Sequence, residues 1–360
     1  MADYNPRYLA TVNRLMERYE TERARLVTEY VTSAWRMWMS LSPADWWNDA
    51  ITQGASANLT ARYMAFVERM RRLGISYADT ALGLVGATAE GQLPSFEVVR
   101  DNTDPWKMMV RPVETYRDLS SDEPHLRPTA WTGLDEYVQR SVDKWLDESR
   151  ERLEDIIDTD STIIGTRVTL DRYRSGGVER YRRIIHPELS RTGTCGLCVV
   201  AADRVYTIRE LMPLHANCHC TVLPITSGND PGLRLNDDDL KALYEKAGGN
   251  TGAKLRQTRV LTLTNGEIGP VLSAKDVKPR DDIPWHMPGS DMTKAQIERM
   301  LNRATAFNVH YRQVEASGKP DDFRYEEHNY HFKPSDKLKQ ALAANLAFAR
   351  QLRARLSLAA

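Results

Sequence analysis

Apolar and polar positions alternate with a helical period along the first forty residues of the chain. Large apolar side chains recur three or four positions apart from Tyr8 to Trp38, with a weaker turn around Ala24. This spacing predicts one long amphipathic helix that ends near residue 40. Ser42 and Pro43 then have the residue types of an N-cap and a first helical turn, so a second helix should begin there.

The rest of the N-terminal helical region, which we bound at residues 1–133, gives a mixed pattern. A third helix is expected over Leu59–Leu73, with Gly74 at its end. Residues 91–133 contain short apolar stretches such as FEVVRD and MMVRPVETY, which we interpret as irregular or extended chain. An early group of tryptophans is typical either of a core or of a protein interface. They are Trp35, Trp38, Trp46 and Trp47.

Residues 134–175 carry the next strong helical signal. Apolar side chains at helical spacing from Leu134 to Ile157 predict a long helix with one apolar stripe. A helix of this kind packs either in a bundle within the chain or in an assembly, and the pattern favours the bundle.

The pattern changes at residues 176–228, where helical periodicity gives way to short extended stretches. The segments YRRIIHPEL, RVYTI and CTVLPI predict strands, so this part of the chain should form a small α+β module. Residues 229–291 are rich in glycine and proline and are expected to be an extended linker. One short helix should interrupt the linker, with Asn236 capping its start and Gly248 its end.

Residues 292–360 return to a helical pattern. Thr293 and Gln296 form a capping-box pair that predicts a helix start. The predicted fold class is therefore α+β and mostly helical. It combines long N-terminal helices, a small cysteine-rich module, an extended linker and a helical C-terminal tail.

Charge and hydropathy exclude several classes of protein. The 49 basic and 49 acidic residues balance, so no net charge draws the chain to nucleic acid or to an anionic membrane. No apolar run approaches the length of a membrane span, and the N-terminus lacks the pattern of a secretory signal. We therefore expect a protein made in a reducing cytoplasm, where paired cysteines more often bind metal or react than form disulfides.

All four cysteines fall within 26 residues of each other. The first two form a CxxC pair, and the last two alternate, so that they share a face if the segment is extended. These donors suit a tetrahedral zinc ion held either by four cysteines or by three cysteines and a histidine. The candidate ligands are Cys195, Cys198, His215, Cys218 and Cys220. His219 is a weaker candidate because its side chain should leave the opposite face from its neighbours.

Three other interpretations of the cysteines compete with a zinc site. Two disulfides would need an oxidising compartment, and buried thiols could also lie close together by coincidence. A catalytic cysteine–histidine pair is disfavoured because four thiols together would compete to chelate any metal. A closed four-ligand site leaves no open position for substrate, so a structural zinc site is the favoured interpretation.

The cysteine segment resembles the MuF-like minor head proteins of tailed bacteriophages. The family pattern is a CxxC pair, a hairpin with a G/D-x-V-Y/F strand, and an HxxCxC element closed by a short strand and proline. This chain has TCGLC, DRVYTI and LHANCHCTVLPI, and the match covers Tyr181–Ile225, about an eighth of the chain. It departs from the pattern at Ala216, where the family commonly has proline, and at His219, where it often has arginine.

The resemblance implies a structural protein that takes part in head assembly, DNA packaging or ejection. It implies a place in the virion, at the portal vertex or inside the head, with the portal protein and the major capsid or scaffolding protein as partners. A non-enzymatic role is expected. The alternatives are a capsid maturation protease, for which no catalytic set is readable, and a zinc-stabilised nuclease that uses His215 or His219 as base.

Arginine is concentrated just before and within the module, at residues 167–191. Tyrosines interleave with these arginines, a combination that can hold phosphates and stack on bases, so duplex DNA is a further candidate partner. A solvated surface with internal ion pairs is the favoured alternative. The candidate phosphate contacts are Arg172, Arg174, Arg180, Arg182 and Arg183.

Overall fold

The structure is a computed structural model. It describes residues 6–91, 99–186, 196–202, 204–210, 212, 218–227, 229–247, 260–274, 284–285 and 293–358. The described residues are 66% helical and include small antiparallel sheets. The predicted mostly helical α+β class is therefore confirmed.

Long helices occupy both ends of the chain, and the strands are short and concentrated after residue 180. In chain order the elements are α1 Pro6–Met39, α2 Pro43–Trp46, α3 Asp49–Leu84, α4 Pro105–Leu119, a 3₁₀ turn Pro124–Leu126, α5 Glu136–Ser175, β1 Arg180–Ile184, α6 Gly196–Ala201, β2 Val205–Thr207, β3 Thr221–Ile225, α7 Pro231–Ala247, β4 Val260–Asn265, β5 Gly269–Ala274, α8 Lys294–Ser317, β6 Asp321–Tyr325, β7 His328–Phe332 and α9 Leu338–Leu358.

The chain forms two compact units, each assembled from three separate stretches. The first unit contains Met1–Leu26, Val67–Asn102 and Asp158–Ser290, and the second contains the remaining stretches. Helices α1, α3 and α5 each contribute residues to both units. The sequence, by contrast, suggested five consecutive segments.

The start of the chain folds as its pattern predicts. Helix α1 ends at Met39, and α2 begins after Ser42 with Pro43 in its first turn. The Ser42 hydroxyl accepts a hydrogen bond from the Asp45 amide, and the Asp45 carboxylate accepts one from the Ser42 amide. The predicted end of the first helix and start of the second are both confirmed.

Helix α3 is longer than predicted, because Gly74 lies inside it rather than at its end. A Cβ atom at Gly74 would lie 3.4 Å from the Gly165 carbonyl oxygen of α5, and one at Gly165 would overlap the Tyr19 hydroxyl of α1. Gly165 therefore allows close approach between helices of the first unit, whereas a Cβ atom at Gly74 would make only ordinary contact. Gly74 is thus an interior helix residue, which sequence pattern alone does not distinguish from a helix stop.

The prediction of irregular chain over residues 91–133 is wrong in its central part. Helix α4 spans Pro105–Leu119, and Pro112 lies within it. Trp106, Met109 and Val113 follow a helical spacing and are buried in the second unit. A proline inside a helix removes one backbone hydrogen bond, but this helix continues through Pro112 because its apolar side chains are buried by tertiary packing.

The extended linker predicted for residues 229–291 is wrong at residues 260–274, whereas the short helix predicted to interrupt it is present and begins earlier than expected. Helix α7 occupies Pro231–Ala247, and β4 and β5 pair as an antiparallel hairpin over residues 260–274. Asn236, predicted to cap the short helix, lies inside α7 and is 1% exposed. The predicted end of that helix, Gly248, lies outside the described residues.

The C-terminal segment is helical as predicted, with one interruption. The Thr293–Gln296 capping box begins α8, as expected. Between α8 and α9 lies the unpredicted hairpin of β6 and β7, whose aromatic side chains pack around Phe307 of α8. The hairpin was missed although its aromatic residues alternate with polar ones, at Phe323 and Tyr325 and again at Tyr330 and Phe332.

The early tryptophans include two that belong to the core of the second unit. Trp38 and Trp46 are fully buried, and their rings meet edge to face, with Tyr116 packed against Trp46. This arrangement answers the question that the sequence left open for these two residues in favour of a core.

A three-stranded antiparallel sheet in the order β2–β1–β3 carries the predicted cysteine-rich module of the first unit. Arg183 of β1 lies opposite Val222 of β3. The hydroxyls of Tyr77 in α3 and Tyr173 in α5 both donate to the Val222 carbonyl oxygen, each at 3.0 Å. Two buried helices thus hold the strand that follows Cys218 and Cys220.

Replacing Asn236 with alanine should destabilise the first unit. The Asn236 amide donates to the carbonyl oxygens of Arg183 (2.7 Å) and Ala202 (3.0 Å), and its oxygen accepts from the Ile185 amide (3.2 Å). Loss of these partners in a buried site should lower the free energy of unfolding by about 2–4 kcal/mol. Asp237→Ala, at an exposed position of the same helix, is the control. Urea denaturation monitored by circular dichroism measures the loss. Equal midpoints for the two variants would contradict this role.

Candidate metal centre

Three cysteine side chains meet in one buried pocket of the first unit. Cys198 lies in α6, and Cys218 and Cys220 lie just before β3. Their sulfur atoms all lie within 4.8 Å of one another, and their exposed fractions are 2%, 2% and 6%. The fold thus brings the second cysteine of the CxxC pair next to both cysteines of the CxC pair.

The three sulfurs suit a divalent ion of the zinc type. Zinc–sulfur bonds of about 2.3 Å in a tetrahedral site place neighbouring sulfurs about 3.8 Å apart. The Cys198 and Cys220 sulfurs are 3.2 Å apart, and no pair exceeds 4.8 Å. Small side-chain rotations would bring all three to ligand distance, so these residues fit a metal ion.

None of the three described cysteines is in a disulfide. The Cys198–Cys220 separation of 3.2 Å is well beyond the roughly 2.05 Å of a sulfur–sulfur bond. Hydrogen bonding with Cys198 and Cys218, together with burial, raises the pKa of the Cys220 thiol well above its usual value. A second thiolate in this pocket is costly unless a cation accompanies it, which is the condition that a bound metal ion meets.

The other two candidate ligands, Cys195 and His215, lie outside the described residues. Of the five candidates, the structure brings together Cys198, Cys218 and Cys220.

His219 points away from the three sulfurs. Its Nδ1 accepts a hydrogen bond of 2.8 Å from Arg23 of α1. The flanking Cys218 carbonyl oxygen accepts another, of 3.1 Å, from the Thr162 hydroxyl of α5. The alternation of side chains expected from the sequence accounts for this arrangement, in which His219 fastens the cysteine segment to the helices.

Arg23 is the centre of a buried ionic network. Its guanidinium donates to Glu20 at 3.0 Å, Asp158 at 2.8 Å and the Ser161 hydroxyl at 2.7 Å, in addition to His219. Burial alone would lower the pKa of Arg23, but Glu20 and Asp158 raise it above its ordinary value. All three guanidinium nitrogens are used, so Arg23 ties α1, α5 and the cysteine segment together.

Arg183 lies beside the thiols and is completely buried. Its Nη1 donates to the Cys198 sulfur at 3.2 Å, and it lies 3.8 Å from the Cys220 sulfur. The sequence placed Arg183 among candidate phosphate contacts and missed this position. The pairing of β1 with β3 produces it, because that register sets Arg183 opposite Val222, two residues after Cys220.

The other candidate phosphate contacts are mostly engaged within the chain. Arg182 pairs with Asp230 through both carboxylate oxygens, and Arg172 binds Asp79 and the Gly91 carbonyl oxygen. Arg174 bonds to Asp171 and to a backbone carbonyl. Arg180 is exposed at the start of β1. These contacts are of the internal ion-pair type that the sequence favoured.

Comparison with family models, with curated proteins and with solved structures gives no significant match. Among the described residues, no helix is both long and apolar enough to cross a membrane.

Replacing Arg23 with methionine should strongly destabilise the protein. The change leaves Glu20, which is 4% exposed, as a buried carboxylate without its cation, at a cost of about 3–5 kcal/mol in free energy of unfolding. Arg25→Met is the matched control, since Arg25 forms an exposed pair with Glu22 at the same spacing on the same helix. Chemical denaturation should show a large loss for the first variant and almost none for the second. Similar losses would refute the importance of the buried network.

Proposed function

We propose that this chain is a structural minor head protein of a tailed bacteriophage, with a zinc-stabilised module that docks near the portal. The observation that carries the proposal is the buried convergence of Cys198, Cys218 and Cys220 from both halves of the cysteine pattern. The order and spacing of that pattern are those of the MuF-like proteins that the segment resembles.

In this proposal, Cys198, Cys218 and Cys220 hold the zinc ion, and Cys195 or His215 completes the set. A zinc ion with four protein ligands acts as a cross-link between parts of the chain that are distant in sequence. Its binding energy, of order 10 kcal/mol in small zinc modules, would stabilise a module with only three short strands. The module would present a fixed shape to the head proteins.

Burial of the thiols supports a scaffolding role over catalysis. The three side chains are only 2–6% exposed, so little of their surface is open to a substrate. Accordingly, we propose a non-enzymatic protein whose partners are the portal protein and the major capsid or scaffolding protein. Its place would be the portal vertex or the interior of the virion head.

A role in gripping duplex DNA is less well supported. Arg172, Arg174 and Arg182 each have an acidic partner within the chain. A phosphate would have to compete with these partners, so head assembly is the part of the proposal that we favour over direct DNA contact.

Purified chain should carry about one zinc ion per molecule. Serine at Cys198, Cys218 or Cys220 should each remove most of the bound zinc, because a tetrahedral site that loses one thiolate binds far more weakly. His219→Ala should retain the ion, because His219 faces Arg23 rather than the sulfurs. Inductively coupled plasma mass spectrometry measures the ratio. Metal-free wild type, or serine variants that keep their zinc, would refute the metal site.

The proposed place in the virion leads to a separate test. Mass spectrometry of purified virions from the phage that encodes the chain should detect it in far fewer copies than the major capsid protein. Deletion of the gene should reduce the yield of DNA-filled heads. Virions and precursor heads that lack the chain, together with normal yields after deletion, would contradict the proposal.

A further inference from the structure

Arg183 is a buried cation with two thiol sulfurs among its neighbours. Its side chain is 0% exposed, and its Nη1 lies 3.2 Å from the Cys198 sulfur and 3.8 Å from the Cys220 sulfur. Taking a guanidinium out of water is costly unless an anion and hydrogen-bond acceptors accompany it. The position of Arg183 therefore favours negative charge on the sulfurs beside it.

The adjacent arginine on the same strand shows a different solution. Arg182 and Arg183 alternate across β1, and Arg182 meets the Asp230 carboxylate at 2.7–3.1 Å on its own face. Arg183 meets the Cys198 sulfur at 3.2 Å on the other face. The cysteine sulfurs thus occupy, beside Arg183, the place that the Asp230 carboxylate occupies beside Arg182.

Charge balance connects Arg183 to the metal ion. With His215 as the fourth ligand, a divalent ion and three thiolates carry one net negative charge, which one guanidinium neutralises. With Cys195 as the fourth ligand, the guanidinium lowers the net negative charge from two to one. A neutral cluster is far less costly to bury than an anionic one, and N–H···S bonds hold the sulfurs in place. Groups that touch metal ligands from outside in this way tune affinity as well as orientation.

We propose that Arg183 is the counter-cation of the thiolate–zinc centre, where it positions the Cys198 sulfur and offsets one negative charge of the cluster. The inference rests on the proposed zinc site and adds a residue that the cysteine pattern does not contain. Arg183 is a positioning residue, since it acts on the metal through the sulfurs. The strand pairing that brings it there also fixes β1 against the segment after Cys220.

The test compares the zinc affinity of the full-length chain with that of three variants by competition with a chromophoric chelator. Arg183→Gln should lose about 10–100-fold in affinity, the range typical for groups that support metal ligands. Arg183→Lys keeps the charge, so its affinity should lie closer to wild type than that of the glutamine variant. Arg182→Gln removes the neighbouring buried arginine on the other face and should leave the affinity unchanged.

Cobalt substitution gives a second readout that general instability would not produce. In folded protein, Arg183→Gln should shift the sulfur-to-cobalt charge-transfer band, because the Cys198 sulfur loses an N–H donor, while Arg182→Gln should not. If Arg183→Gln does not fold, Arg183→Lys still decides the question. Complete removal of the charge is expected to lower zinc affinity about 10–100-fold. If Arg183→Lys loses as much, charge balance is contradicted.

The outcomes separate this inference from the proposed function. Wild type that binds no zinc overturns both. Wild type that binds zinc, with Arg183→Gln binding equally tightly and with an unchanged cobalt spectrum, overturns the role of Arg183 alone.

Discussion

The confinement of three thiols and one guanidinium in a buried pocket is the constraint on which the rest of the module depends. Sulfurs of Cys198, Cys218 and Cys220 within 4.8 Å of one another cannot all ionise without added positive charge. Arg183 supplies one such charge, and a divalent ion would supply the remainder. The Arg183 guanidinium lowers the free-energy cost of thiolates in this pocket, and thiolates are the form of cysteine that binds a metal ion.

This pocket is built on helices as well as on the sheet. The Thr162 hydroxyl donates to the Cys218 carbonyl oxygen, and Arg23 donates to the His219 side chain. Two tyrosine hydroxyls hold the strand that follows. The three cysteines are therefore held by a buried framework, which is the arrangement that preorganises a metal site.

Sequence pattern was sufficient where one local signal dominated. The capping boxes at Ser42 and Thr293 began helices as predicted, and CTVLPI formed the strand beside the cysteines. Pattern failed where tertiary packing overrode local preference. Helix α4 continues through Pro112, and Asn236 bonds across to β1 instead of capping a helix.

The candidate metal site could be predicted from the sequence only in part. Cysteine spacing identified Cys198, Cys218 and Cys220, whereas Arg183 required the register of β1 against β3, a long-range fact that no local pattern contains.

X-ray absorption at the zinc edge of the purified chain tests the central claim most directly, because it reports which atoms touch the metal. The account predicts a first shell of four ligands with at least three sulfurs at about 2.3 Å. A shell of oxygen and nitrogen atoms, or a sample in which no zinc is present, would contradict it.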